Sequence, residues 1–537
     1  AAKERKLASS AVTNFTSPSG KGTTGTVEGK QVALGNAVLM AELKISTATL
    51  DQTAEAARRD GATAIYVAVD GRVAGVIAIA DPIKPSAANA LRALRADGLR
   101  IVMLTGDNET TARAVAKTLR IDEVEAGVLP VASWYKRQAE KGRVLNYGAA
   151  TNWAFARIGA MTGSNSESSL ESFGAAMRDR RWIENVATDG EVAGILERLA
   201  NGLNEGGIGI GILNAYAPGA GVQELTAVCQ LAADHAVPTF THVAYMSRID
   251  PESAAEAYIR LIGYAGATGA HMHICHFNSS SKTDIERCVA LIAKAQAQGL
   301  PITVEAYPYG TGSTVLAATF FSDPKFEERN GLGYDSVQRV TDGHRFGSRE
   351  ELLAAQAAEP STLVLWHVLD IENNAHHRDL LDMAVLYPGG AIASDAMPWT
   401  LSDGRPYTGD AWPLPDDATS HPRSAGCFTR FIREWVRERK KVSLLEGIRK
   451  CALIPAEILS ASTPAMRAKG RLQAGADADI VAFDYETLSD RATFSAMNRP
   501  AEGVRHLVVS GQPLINDGVL DVAARPGRPV RRPVTGG

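Results

Sequence analysis

Two histidines and one aspartate carry the strongest chemical signal in this sequence of 537 residues. His242 closes the apolar run PTFTHV, and His276 closes HMHICH, 34 residues later. A strand–helix–strand unit takes about 30 residues or more, so the pair is expected on consecutive strands of a parallel sheet. Asp395 closes a further run of this kind, AIASD. In (β/α) barrels the chemistry gathers at the C-terminal strand ends. Neutral imidazoles bind Zn²⁺, and an aspartate beside them takes a proton from metal-bound water. His271 and His273 form H-x-H on the strand face of Cys275, offset from His276. Packing and hydrogen bonding are expected for that pair, and burial for Cys275, Cys288, Cys427 and Cys451. His421 is expected behind the groups that meet substrate, and His367, His376 and His377 receive no role.

The elements that must position these groups follow from pattern. Short apolar runs separated by helical stretches indicate βαβ units and a (β/α) barrel. The candidate strands are 143–150, 207–213, 238–243, 271–277, 301–307, 362–368 and 391–395, with helices such as 222–235 and 252–267 between them. Residues 470–519 are β-rich and predict hairpins of a small sandwich, and the Pro/Arg/Gly-rich tail 526–537 predicts disorder. Residues 1–130 have another texture: paired strands around Asp70-Gly71, a helix over 86–97, a strand over 99–106 and a helix over 108–119. Hydrophobic residues make up 45% and charged residues 22%, which is globular. A net charge of −4 excludes strong steering toward nucleic acid or anionic membrane. No run approaches the ~20 apolar residues of a membrane span, and five cysteines are too few for a disulfide scaffold, so a soluble cytoplasmic protein is expected.

The strings GIGIGILNAYAPGAG, PTFTHV, HMHICHFNSSS, ITVEAYPYGTGST, IASDAMPW, HPRSAGCFTRF and KGRLQAGADADIVAFD occur in that order. Together they resemble the N-acyl-D-amino-acid deacylases of the amidohydrolase superfamily, over about residues 135–525. The resemblance implies zinc on His242 and His276, with Asp395 as general base. It implies that Tyr307 and Ser313 of YPYGTGS and Arg423 of HPR hold the substrate carboxylate and polarise the acyl carbonyl. A guanidinium suits the first task because it grips a carboxylate bidentately. The implied partner is a small N-acyl-D-amino acid. The family also carries H-x-H on its first strand and a metal-bridging cysteine on an early one. Residues 1–228 contain neither His nor Cys. The expectation is therefore a barrel lacking its first strands, with weak zinc affinity and impaired turnover. Phe277-Asn278 stand where a basic pocket residue is expected, which leaves the preferred acyl-amino acid open.

GKGTTG (20–25) matches G-x-G-x-x-G, but the strand-like TVEGKQVALG follows where a dinucleotide site needs a helix. With DPIKPSAANALRALRADGLRIVMLTGDN and ETTARAVAKTLRIDEVEAGVLP it resembles the cytoplasmic part of copper P-type ATPases, over residues 1–130. The resemblance implies that Gly20 and Gly22 lie in a nucleotide-binding turn. It implies that Thr105, Gly106 and Asp107 face the transferred phosphate, with ATP and Mg²⁺ as ligands if this piece is competent. The strings D-K-T-G-T and G-D-G-x-N-D are absent, so phosphorylation and transport are not expected. The expected organisation is chimeric: an ATPase-like fragment over 1–130, an incomplete barrel over 131–465, part of a sandwich over 466–525 and a tail over 526–537.

Overall fold

The computed structural model describes residues 12–16, 22–59, 62–79, 87–96, 102–105, 109–121, 123–126, 130–164 and 169–534. The chain divides into two compact units, Ala1–Ser133 and Trp134–Gly537.

The first unit is mixed α/β. Strands β1 (Val12–Thr16), β2 (Gly22–Val27), β3 (Lys30–Gly35), β4 (Thr63–Val69) and β5 (Arg72–Ile79) form one antiparallel sheet in sequence order. The β4–β5 hairpin turns at Asp70 and Gly71, both at positive φ, as the Asp-Gly pair predicts. Small residues let the helices 37–42 and 51–59 pack closely, around a core of Ala33, Met40, Ile45, Ala54, Ala64, Tyr66 and Ala68. Strands β6 (Val102–Thr105) and β7 (Glu123–Ala126) pair in parallel, with the helix 109–119 between them in sequence.

The second unit is built on a six-stranded parallel sheet. Its strands are β8 (Thr151–Asn152), β9 (Ile210–Leu213), β10 (Pro238–His242), β11 (His271–Ile274), β12 (Ile302–Ala306) and, after an insertion, β16 (Ala391–Ile392). Their order is β16-β12-β11-β10-β9-β8. Among the described residues no pairing joins β16 to β8. Thr239, Met272, Ile274, Ile302 and Val304 are all buried toward the covering helices. The helices start on ordinary caps: Thr188 and Glu191 form a capping box for 189–204, and Ser253 caps 254–268.

Three expectations change. The run 362–368 is β15 (Leu363–His367), and it leaves the parallel sheet. It pairs antiparallel with β13 (Thr311–Val315) and β14 (Val337–Arg339). Alternation alone cannot distinguish these two sheets, because both faces of β15 are buried. The run 143–150 does not form the first strand; Tyr147 instead bridges to Pro529, and the sheet edge begins at Thr151. Residues 526–534 are correspondingly not disordered, since Tyr135 Oη donates to the Val530 carbonyl at 2.9 Å. At the C-terminus β17 (Ile480–Phe483), β18 (Val504–Val509), β19 (Gln512–Asn516) and β20 (Val519–Leu520) make a single four-stranded antiparallel sheet, one layer of the expected sandwich.

Candidate active site

Register places the candidate groups at one end of the parallel sheet. His242 ends β10, and His276 follows β11 by two residues. His276 has φ 37° and Asp395 has φ 46°, so both sit in the left-handed region that ordinary residues avoid. Such strain gathers at functional sites, where surrounding contacts hold it in place. The two turns aim His276 and Asp395 into a cavity of about 180 Å³ that is also lined by His242, Tyr307 and Ser313. Its remaining wall is largely apolar, with Phe173, Tyr216, Phe320 and Trp366.

The imidazoles meet each other. His276 Nε2 lies 2.7 Å from His242 Nδ1. Burial first, and then the neighbouring ring, pushes His242 down to about 3, and burial pushes His276 down to about 4. Both rings are therefore neutral near pH 7. Ser280 Oγ and Ser279 Oγ hold His276 Nδ1 at 2.9 and 3.2 Å. Whichever ring carries the shared proton, one lone pair in this contact is already used.

A second group at the site is formed by Asp395, Arg423, Tyr307 and Ser313. Arg423 is buried on the helix 423–431, and its Nη2 lies 2.7 Å from Asp395 Oδ2. This is a contact of charges without a directed hydrogen bond, because none of the guanidinium nitrogens finds an acceptor in bonding geometry. The guanidinium carbon also stands 4.3 Å from the Tyr307 ring centroid. Burial raises the Asp395 carboxyl above the usual range, against the lowering pull of Arg423 and His242. Tyr307 Oη and Ser313 Oγ are buried with no hydrogen-bond partner. His421 supports this group: its Nε2 donates to the Thr311 carbonyl at 3.0 Å and its Nδ1 accepts the Arg423 backbone N–H at 3.0 Å.

Five residues singled out in the sequence thus line one cavity, His242, His276, Tyr307, Ser313 and Asp395, and the sixth, Arg423, is buried against Asp395 and the Tyr307 ring. The first unit offers less. Gly22 opens β2 opposite Gly35, where a Cβ would meet the Leu34 carbonyl oxygen at 2.0 Å, so close strand approach requires that glycine. Thr105 ends β6, while Gly20, Gly106 and Asp107 lie outside the described residues. Sequence reasoning missed Glu305 on β12, whose charge acts on both imidazoles and on Asp395. The available signal was its period-two spacing from Thr303 and Tyr307.

Residues 278–515 match the amidohydrolase family. The chain also aligns in structure with solved deacylases. A D-aminoacylase mutant in complex with copper chloride aligns at TM-score 0.58, 19% identity and 75% of each chain. N-acyl-D-glutamate deacylase from Bordetella bronchiseptica, solved with zinc and a phosphonate inhibitor, aligns at TM-score 0.57 and 21% identity, over 88% of this chain and 97% of that one. The second unit has the amidohydrolase fold. Residues 1–132 match the haloacid dehalogenase-like hydrolases. A silver exporting P-type ATPase of Salmonella typhimurium is 45% identical over 184 residues, 33% of this chain and 22% of that protein. A copper-transporting P-type ATPase of Rhizobium leguminosarum is 42% identical over 183 residues. The chain spans about a fifth of the length of these ATPases. Among the described residues no helix is long and apolar enough to cross a membrane.

A catalytic zinc in an amidohydrolase site needs about three protein ligands and an open position. His242 and His276 could supply two. Asp395 is tied to Arg423, and among the described residues no three His, Cys, Asp or Glu side chains form a metal-holding group. The donor set present does not fit a catalytic zinc ion.

Proposed function

We propose that the second unit is an N-acyl-D-amino-acid deacylase-like site whose substrate-holding group is complete and whose metal-holding group is short of donors. In this chain it binds N-acyl-D-amino acids and hydrolyses them slowly or not at all. The observation that carries the proposal is a set of buried polar groups that make no hydrogen bond in good geometry: Tyr307 Oη, Ser313 Oγ and the Arg423 guanidinium, whose one charged partner is Asp395. A buried donor left unmatched costs about 1–3 kcal/mol, and a ligand that brings carboxylate and carbonyl oxygens removes that cost. Tyr307 and Ser313 reach such oxygens directly from the cavity wall. Arg423 holds Asp395 in place and exchanges part of that contact for the ligand carboxylate. Asp395, with its raised carboxyl, is the group suited to carry a proton between water and the amide nitrogen.

The test combines dialysis and assay. The purified chain, given N-acetyl-D-leucine and N-acetyl-D-glutamate with and without Zn²⁺, is expected to bind at least one of them. Turnover is expected far below the ordinary enzyme range of roughly 1–10³ s⁻¹. Ordinary turnover, or no binding of either compound, contradicts the proposal.

The 45% identity to the silver exporter favours a second reading for the first unit alone. It is a nucleotide-binding piece joined near Pro130-Val131 to the barrel, without the residues for phosphoryl transfer. An ATP analogue with Mg²⁺ in equilibrium dialysis tests this, and absence of binding removes it.

A further inference from the structure

Beneath the cavity the concave face of the parallel sheet carries polar side chains where (β/α) barrels usually pack branched apolar ones. His273 and Thr303 are partners in register, so they project to the same side, with His271 on β11 and Glu305 on β12 two residues away. His271 Nε2 lies 2.8 Å from Thr303 Oγ1, and His273 Nδ1 lies 2.9 Å from the same oxygen. His273 Nε2 lies 3.1 Å from Glu305 Oε2. His273 is 2% exposed, whereas His271, at the start of β11, is only partly buried. The four residues thus form one continuous column from the lower end of the sheet to the carboxylate that faces the site.

Counting constrains the hydrogen positions. Burial raises the Glu305 carboxyl, but the His273 hydrogen bond and the nearby imidazoles outweigh it and hold the group below the usual carboxylate range. An ionised carboxylate only accepts, so His273 Nε2 donates. Thr303 has one hydroxyl proton for two ring nitrogens, and the column assigns it to His273 Nδ1, which accepts. Thr303 then has only lone pairs left for His271, so His271 Nε2 donates. All three bonds point the same way, toward Glu305.

We propose that His271, Thr303 and His273 form a directional hydrogen-bond column that positions Glu305 and feeds it a proton. A proton taken up at His271 Nδ1 releases the Nε2 proton to Thr303. Thr303 passes its own hydroxyl proton to His273 Nδ1, and His273 yields its Nε2 proton to Glu305. One proton enters at His271 and one appears on the carboxylate, which becomes neutral. The rings are left in the Nδ1–H form, and return passage restores them. His273 and Thr303 are positioning residues. The column stands on its own geometry, and only its use in amide cleavage rests on the deacylase reading.

The test reads tautomers, not turnover. In the full chain with ¹⁵N-labelled histidine, long-range ¹H–¹⁵N spectra near pH 7.5 are expected to show His271 and His273 both as Nε2–H. Thr303→Val keeps the branched shape and removes the hydroxyl. It is expected to leave His273 as Nε2–H, fixed by Glu305, to release His271 from a single tautomer, and to slow solvent exchange of the His273 Nε2 proton about tenfold, the effect of one hydrogen bond on a barrier. Thr303→Ser is expected to behave as the parent. His273 found as Nδ1–H, or Thr303→Val spectra and exchange unchanged, overturns the column. If Thr303→Val does not fold, the parent tautomers decide: two Nε2–H rings support the column and any other pattern overturns it. Failure of the deacylase reading shows separately, as absent N-acetyl-D-amino-acid binding with these tautomers intact.

Discussion

The two groups of side chains at the site handle their polar atoms in opposite ways. In one, His276 bonds through Nε2 to His242 Nδ1 and through Nδ1 to Ser279 and Ser280, so both its ring nitrogens are used within the protein. In the other, Tyr307, Ser313 and Arg423 are equally buried and keep donors without acceptors in bonding geometry. Native proteins rarely tolerate such donors. The contrast indicates which group retains a need for something external. Solved deacylases of the same fold carry metal, and here His242 and His276 offer two of the about three donors that a catalytic zinc takes. A shared fold therefore does not transfer a complete site; the site has to be counted donor by donor.

The largest effect expected from this contrast is at Arg423. Arg423→Ala empties a fully buried position and leaves the partly exposed Asp395 carboxylate without its cation, and removing one partner of a buried pair costs about 3–5 kcal/mol, with the lower end expected here. Denaturant midpoints at constant m-value measure it. The double variant with Asp395→Asn should recover much of the loss, because it leaves no uncompensated charge. A cost below ~1 kcal/mol for Arg423→Ala would mean that the pair is not held as described.

Acid should weaken the same region. His367 lies on β15, with Nδ1 2.9 Å from Thr311 Oγ1 and Nε2 2.9 Å from Gln338 Oε1. Burial pushes it down to about 4 from an ordinary 6.5. Between those values the unfolded chain binds a proton that the folded one refuses. The stabilisation is thus complete above pH 6.5 and is lost as pH falls toward 4, by ~3 kcal/mol at most. His367→Gln should flatten the stability profile across that window. An equal slope in parent and variant would assign the acid sensitivity elsewhere.

Much of this site was legible because strand-end placement follows from period and length. His242, His276 and Asp395 needed only the spacing of βαβ units, and all three line one cavity. The β13–β15–β14 sheet was not legible, because an insertion that is buried on both faces looks like another barrel strand. Glu305 was not legible either. On its own it is one acid in an apolar strand, and only the register of His273 against Thr303 reveals its partner. The tail was misjudged on composition: Gly527 donates its N–H to the Arg143 carbonyl at 2.7 Å and Arg532 Nη2 donates to the His235 carbonyl at 3.0 Å, contacts that its Pro/Arg/Gly content does not announce.

A smaller effect sharpens the view of the ligand-holding group. Tyr307→Phe removes one hydroxyl without changing the ring over which Arg423 lies. Since that hydroxyl has no partner in the protein, the free chain should be unchanged or slightly more stable. Binding of N-acetyl-D-leucine should weaken by about 3–10-fold, the value of one hydrogen bond of 0.5–1.5 kcal/mol. Titration calorimetry on parent and variant checks both halves. A variant that loses stability but not affinity would show that the hydroxyl serves the fold and not a ligand.

The smallest effect is expected from zinc itself. A ligand in hundredfold excess over its dissociation constant stabilises the folded chain by about 2.7 kcal/mol. With two imidazoles at the site and, among the described residues, no group of three such donors, Zn²⁺ at ~100 µM should add less than ~1 kcal/mol. His242→Ala should remove even that, while leaving binding of N-acetyl-D-leucine within about twofold of the parent. The measurement is a denaturation series with and without Zn²⁺, repeated after chelation. A gain of several kcal/mol that disappears in His242→Ala would show that the imidazole pair opens to accept the ion. In that case the difference between the two groups would be one of occupancy and not of composition.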